Sequence, residues 1–334
     1  MSDHIRAKNA DEERQWVVSR RVFLRSAVTA LAAPAVLSLS CARNGSWARR
    51  RQGVRFGIVT DCHYADAEAA GTRFYRASLD KLGECVARMN AENVDFLIEL
   101  GDFKDQDRPP VEAQTLAYLD RVEAVLQRFE GPTYHVLGNH DVDSISKSQF
   151  LSRVTNTGIE VGWTDRLPMP MRPHGQETCP SYYSFDANGL HGVVLDANFS
   201  ADGTAYDHGR FDWTDANIPP HELAWLRDDL AAAQGPVVVF VHQLLDGTGA
   251  VYIENAAEVR DVLEESDKVL AVFQGHHHAG DYHQINGIHY YTLIATVEGQ
   301  GTESNSYAIV EVQPDLNAVV TGYRKARSDV LRCT

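Results

Sequence analysis

Five short apolar runs in this chain each end on residues that bind metal ions, and that recurrence constrains the fold more than any single motif. The runs at 54–60, 95–100, 133–137, 236–241 and 269–274 have the length and the β-branched or aromatic content of buried strands. Directly behind them stand Asp61 and His63, then Asp102, then Asn139 and His140, then His242, and finally His276 and His278. In open α/β sheets ligands gather at the carboxyl ends of strands, so these five ends are expected to converge on one pocket.

Between the runs the pattern alternates. Helices are expected near 73–90 and 111–129, which indicates α/β layering. From about 141 to 180 the chain reads as irregular, with Pro168, Pro170, Pro173 and Pro180 among polar residues, an insertion or a wall of the site. Strands at 181–186 and 190–196 are joined by Asn188-Gly189, and strands at 282–285 and 288–292 by Asn286-Gly287, both strong hairpin turns. A loop-rich stretch at 197–218 leads to a helix that opens on Pro219 or Pro220 and runs to about Ala233. Strands at 306–312 and 318–323 close the domain.

With 334 residues, 44% of them hydrophobic, the chain builds a core easily. Its formal net charge is −15, and it becomes more negative without residues 1–48, which hold seven Lys/Arg and four Asp/Glu. That balance excludes a protein made to coat nucleic acid or an anionic membrane. Residues 1–48 read as a signal and linker, and 49–334 as one domain. Ser19-Arg20-Arg21-Val22-Phe23-Leu24 precedes an Ala/Leu/Val-rich stretch at 26–40 that is short for a membrane span. The segment resembles a twin-arginine export signal, which implies the twin-arginine machinery as a partner and a periplasmic or extracellular mature protein without a transmembrane span. Lipid anchoring at Cys41 is the alternative. Cys62, Cys85, Cys179 and Cys333 are too few and scattered for a disulfide framework and read as isolated thiols.

Asp61-x-His63 puts a carboxylate and an imidazole on one side of an extended segment, where they can grip one cation. Gly101-Asp102 and Gly138-Asn139-His140-Asp141 place a small turn residue before an oxygen ligand, and Gly275-His276-His277-His278 adds two imidazoles. Together these residues suffice for two metals. The mixed imidazole and oxygen donors suit manganese, iron, zinc or nickel better than calcium or magnesium alone, and spacing does not choose among them.

The series D-x-H, G-D-x-x-D, G-N-H-D, a strand-terminal H and G-H-x-H resembles the calcineurin-like metallophosphoesterase family over about residues 53–323. The resemblance implies a four-layer αββα sandwich of two mixed sheets flanked by helices. It places Asp61, His63 and His278 on one metal, Asn139, His242 and His276 on the other, and Asp102 between them. His140 matches the proton donor and Asp105 the carboxylate that orients it. The implied cofactor is a pair of divalent or transition metal ions, manganese or iron first and zinc as the alternative. The implied reaction is attack of a metal-bridging hydroxide on a small-molecule phosphoester.

Tyr64-Ala65-Asp66 followed by Gly71-Thr72-Arg73-Phe74-Tyr75-Arg76-Ala77-Ser78 is similar to the branch of manganese-dependent ADP-ribose and CDP-alcohol pyrophosphatases. Vertebrate members of that branch carry Gln where this chain has His63, which leaves the exact ester open. Arg73 and Arg76 are candidates for a second phosphate, Arg73 first, and Tyr64, Tyr75, Phe199 and Trp213 are candidates to stack on a base or line the cleft. A broad phosphomonoesterase of alkaline-phosphatase type and a metal-stabilised binding protein without turnover are the alternatives.

Overall fold

Each apolar run becomes a strand, and the strands sort into two six-stranded sheets. The computed structural model describes residues 53–159 and 180–333; the expected signal at 1–48 and the segment 160–179, which holds three of the four named prolines, lie outside the described residues. The first sheet has the order β12–β11–β10–β1–β2–β3: β1 Val54–Val59, β2 Phe96–Glu99, β3 Thr133–His135, β10 Ser306–Val312, β11 Ala318–Arg324 and β12 Asp329–Leu331. Here β1, β2 and β3 run parallel and β10 to β12 antiparallel. The second has the order β4–β5–β6–β7–β9–β8: β4 Tyr183–Ala187, β5 Leu190–Val194, β6 Val237–Val241, β7 Val269–Gln274, β8 Asp281–Ile285 and β9 Ile288–Thr292. Its four inner strands are parallel, with an antiparallel strand at each edge.

Aromatic residues join the two sheets face to face. Phe56 of β1 stacks on Phe96 of β2 with centroids 4.8 Å apart and meets Phe240 of β6 and Phe273 of β7 edge-on at 5.7 and 5.6 Å. Each such pair contributes roughly 1 kcal/mol beyond the area it buries. Helices α1 (Ser78–Glu92) and α2 (Glu112–Leu126) cover the first sheet, and α1 comes so close that a Cβ on Gly57 would lie 2.5 Å from Met89 Sδ. On the second sheet, Val237, Val239 and Val241 meet Leu223 and Leu226 of α4 (Pro220–Ala232) and Val259 and Leu263 of α5 (Ala256–Glu265). The architecture is therefore the expected αββα sandwich.

Both Asn-Gly pairs turn their hairpins with positive φ at each residue, 50° and 89° at 188–189 and 48° and 90° at 286–287. A short α3 (Lys147–Leu151) lies within the stretch read as irregular, capped by Ser146 and Gln149 in a reciprocal box. Cys62 and Cys85 are free and buried. Cys333 is disulfide-bonded, with its partner outside the described residues, which corrects the reading of four isolated thiols. No helix among the described residues is long and apolar enough to cross a membrane.

Candidate metal centre

Three strands of the first sheet and two of the second deliver the predicted side chains from their carboxyl ends, so the site lies where the two sheets open together. The chain turns as soon as it leaves β1: Asp61 and His63 have φ of 51° and 44°. This replaces the extended geometry expected for Asp-x-His. The turn is held by Asp61 N donating to Gly101 O at 3.0 Å and His63 N to Asp102 O at 2.8 Å, which lashes the first motif to the second. Asp102 and His276 are left-handed as well, with φ of 56° and 62°. Each such residue stores on the order of 1 kcal/mol of backbone strain that the surrounding sheets hold in place.

Two donor clusters result, and they share Asp102. In the first, His63 Nε2 and His278 Nε2 face each other at 3.2 Å, with Asp61 Oδ1 at 3.7 and 3.4 Å from them and Asp102 Oδ2 at 3.4 Å from His63. In the second, His242 Nε2 lies 3.2 Å from both His276 Nδ1 and Asp102 Oδ2. Asn139 is bracketed by neighbours that touch Asp102, and its Oδ1 is buried without a hydrogen-bond partner, as is Asp61 Oδ1. Converging imidazole nitrogens and orphaned buried oxygens need a cation to satisfy them, so the residues present fit two metal ions.

Close packing around Asp102 explains the glycines. A Cβ on Gly138 would lie 2.2 Å from Asp102 Oδ1, and one on Gly101, whose φ is +99°, would lie 2.5 Å from His242 Nδ1. The Asp141 carboxylate ties the same loops together by accepting from the backbone N–H groups of Asp102, Phe103 and Gly138 at 3.0, 2.9 and 2.9 Å.

Metal-binding histidines commonly donate their second nitrogen to an oxygen that fixes the ring. Here His242 Nδ1 faces Leu100 O at 2.8 Å, and His278 Nδ1 faces Glu298 Oε1 at 2.6 Å. Asp105 was expected to orient His140. Its Oδ2 instead lies 3.3 Å from His63 Nδ1, and His140 Nδ1 pairs with Asp143 Oδ2 at 2.7 Å. The reason is local: Asp143 stands one 3-10 turn beyond His140, within direct reach. Asp143 escaped sequence reasoning because it follows no apolar run, and Glu298 because the run before it, 288–297, reads only as the second strand of a hairpin.

Charge follows the same division. Burial alone would raise Asp102, but His242, His140 and His63 hold it well below the usual carboxylate range. Burial would likewise raise Asp61, which His278 and His63 keep low. Against burial, Asp102 lifts His63 to about 9 and His242 to about 10, whereas burial and neighbouring His242 push His276 down to about 3. The cage is anionic and favours positive charge within it.

His140 sits beside the first cluster, its ring centroid 4.7 Å from that of His63 and its side chain 24% exposed. Arg76 is engaged by Asp66 and Glu68 at 2.5 and 2.7 Å, whereas Arg73 acts electrostatically on His278 and Glu298. Of the aromatic candidates, Tyr64, Tyr75 and Phe199 are buried, and Trp213 is 43% exposed with its ring 5.6 Å from that of His276. A cavity of 520 Å³ adjoins Asp105, lined among others by Tyr75, Gln106 and Arg108. His135, assigned no ligand role, is buried between Glu99 and Glu123.

Comparison with known proteins identifies the family. Residues 54–280 match the family model of the calcineurin-like phosphoesterases. A manganese-dependent ADP-ribose/CDP-alcohol diphosphatase of Oryza sativa subsp. japonica is 27% identical over 312 residues, 82% of this chain and 93% of the relative. One of the same description from Arabidopsis thaliana is 26% identical, over 78% of this chain and 92% of the relative. Among solved structures, a dimetal phosphatase from Danio rerio superposes with a TM-score of 0.69 at 22% identity, covering 85% of this chain and all of that one.

Proposed function

The chain belongs to the calcineurin-like phosphoesterases and is thus a metal-dependent phosphoric ester hydrolase; from that premise we propose that it cleaves phosphodiester or pyrophosphate bonds in nucleoside-diphosphate-linked substrates. Two donor clusters that share Asp102 are the observation that carries the reading. Asp61, His63 and His278 would hold one cation, Asn139, His242 and His276 the other, and Asp102 would contribute to both. Bound there, two cations supply a nucleophile at neutral pH and neutralise the phosphate oxygens.

The protein's own groups complete the reaction. His140, beside the first cluster and open to solvent, gives a proton to the departing oxygen. Arg73, whose charge acts on His278 and Glu298, is the group that would meet the second phosphate of a diphosphate. Trp213, beside His276, offers an aromatic surface to a base. The plant relatives named as ADP-ribose/CDP-alcohol diphosphatases support this substrate class and manganese as the metal. Export by the twin-arginine route is the accompanying reading, supported by the Ser-Arg-Arg-Val-Phe-Leu segment and by a disulfide at Cys333, which suits an oxidising compartment.

The test is a substrate panel on protein stripped of metal and reloaded with manganese. ADP-ribose, CDP-glycerol, bis-p-nitrophenyl phosphate and p-nitrophenyl phosphate are compared side by side. Turnover that disappears on chelation and favours the first two is the expected result. Much faster hydrolysis of the monoester would replace this substrate class with phosphate scavenging.

A further inference from the structure

Two carboxylates stand close to His140, and the structure divides their work. Asp105, His140 and Asp143 each place a polar side-chain atom within 4.8 Å of the others. Asp105 is turned toward His63: its Oδ2 lies 3.3 Å from His63 Nδ1, an ion-pair distance without hydrogen-bond geometry, and its Oδ1 accepts from Gln106 N at 2.8 Å. Asp143 Oδ2 takes the short contact to His140 Nδ1, 2.7 Å. We propose that Asp143 is the positioning residue of the proton donor, and that Asp105 instead fixes the ring of a metal-binding histidine.

The surroundings of Asp143 are built to hold it. His140 N donates to Asp102 Oδ1 at 2.8 Å, and His140 O accepts from Lys104 Nζ and from Asp143 N, so the backbone of the turn is fixed at three points. On the far side, the loop at 200–210 packs directly on the turn. Gly209 N donates to Val142 O at 2.9 Å, and a Cβ at Gly209 would lie 2.2 Å from Asp143 O. Its φ of +67° and this contact leave room for glycine alone. The turn that carries Asp143 is thereby clamped between the metal loops and this outer loop.

The consequence concerns one proton. As the bond from phosphorus to the leaving oxygen breaks, the electron pair stays on that oxygen, which takes the proton from Nε2 of the His140 imidazolium. Nδ1 keeps its own proton in the bond to Asp143, and the resulting neutral imidazole is reprotonated from solvent. A carboxylate on Nδ1 fixes the ring so that Nε2 faces the site.

The experiment uses the manganese-loaded protein and a series of phosphodiesters whose leaving groups run from p-nitrophenolate, which needs no proton, to phenolate and an alkoxide. His140→Ala establishes the pattern of a lost acid. Asp143→Ala is expected to reproduce it, with kcat lower by about 10- to 100-fold for the alkoxide and by less than about threefold for p-nitrophenolate. Metal content measured by elemental analysis stays at the wild-type value. Asp105→Ala is expected to lower metal occupancy and to slow all esters alike. Asp143→Asn keeps the side-chain shape and carries the test if the alanine variant does not fold. Equal slowing across the series by Asp143→Ala, no slowing, or metal loss overturns the proposal, as does a leaving-group-selective effect from Asp105→Ala. If His140→Ala itself lacks selectivity, the assignment of the acid fails separately from the choice of its partner.

Discussion

Replacing Glu298 by Gln is expected to weaken one metal site of the two without removing a ligand. Glu298 Oε1 lies 2.6 Å from His278 Nδ1, and the two side chains are 21% and 18% exposed. A carboxylate there fixes the ring and raises the electron density on Nε2, and loss of such partners lowers metal affinity by roughly 10- to 100-fold. Gln keeps the shape and an acceptor oxygen but loses the charge, and solvent already screens part of the pair. The expected change is therefore at the low end, about tenfold in Kd, or about 1.4 kcal/mol. The fold has an independent anchor here, since Lys81 Nζ donates to the backbone oxygens of Thr296, Glu298 and Gly299. Calorimetric titration of stripped wild-type and variant protein with manganese reads the two sites. One weakened binding event beside one unchanged, at an unchanged melting temperature, is the expected outcome. Two unchanged events, or two weakened equally, would refute the argument that His278 belongs to one cluster and depends on Glu298.

Gly138→Ala drives a methyl group onto Asp102 Oδ1. It is expected to reduce stability by roughly 1–3 kcal/mol and to lower metal content, read by denaturant unfolding and elemental analysis. At His135, burial would lower the imidazole, but Glu123 and Glu99 raise it to about 10. Its own contribution is thus complete below about pH 6.5 and lost as pH rises through 10, while that of Glu99, whose carboxyl burial raises to about 8, is lost earlier, as pH rises from about 4.5 through 8. His135→Gln should be destabilised by about 3 kcal/mol near pH 6, with the gap to wild type narrowing by pH 10.5 in urea titrations. Trp213→Ala should raise KM for ADP-ribose by roughly 5- to 10-fold through lost stacking, while an alkyl diester without a ring is unaffected in steady-state assays.

Much of the site was legible because each candidate ligand is announced locally. Asp61, Asp102, Asn139, His242 and His276 all follow runs such as Val237–Val241 that have no reading except a buried strand, and the two Asn-Gly pairs fix their hairpins by a backbone requirement. What escaped lacked such a local sign or carried one that is easily passed over. Glu298 and Asp143 matter through contacts that depend on where a loop folds back. The helix α5 shows its apolar face only at Ala256, Val259, Val262 and Leu263, a pattern too short to stand out after a loop. Ser146-Lys147-Ser148-Gln149 did carry a signal, the spacing of a capping box, inside a stretch dominated by its prolines. β12 has three residues and exists only because β11 offers it an edge.

The left-handed backbone at Asp61, His63, Asp102 and His276 sets catalysis against robustness in this molecule. A chain selected for folding alone would place glycine at all four positions, and each exchange would relieve strain while erasing a donor. Laboratory evolution for thermal resistance without a turnover screen is therefore drawn toward an inactive sandwich. Stabilising changes compatible with activity have to be sought away from these turns, on the outer faces of α1, α2, α4 and α5.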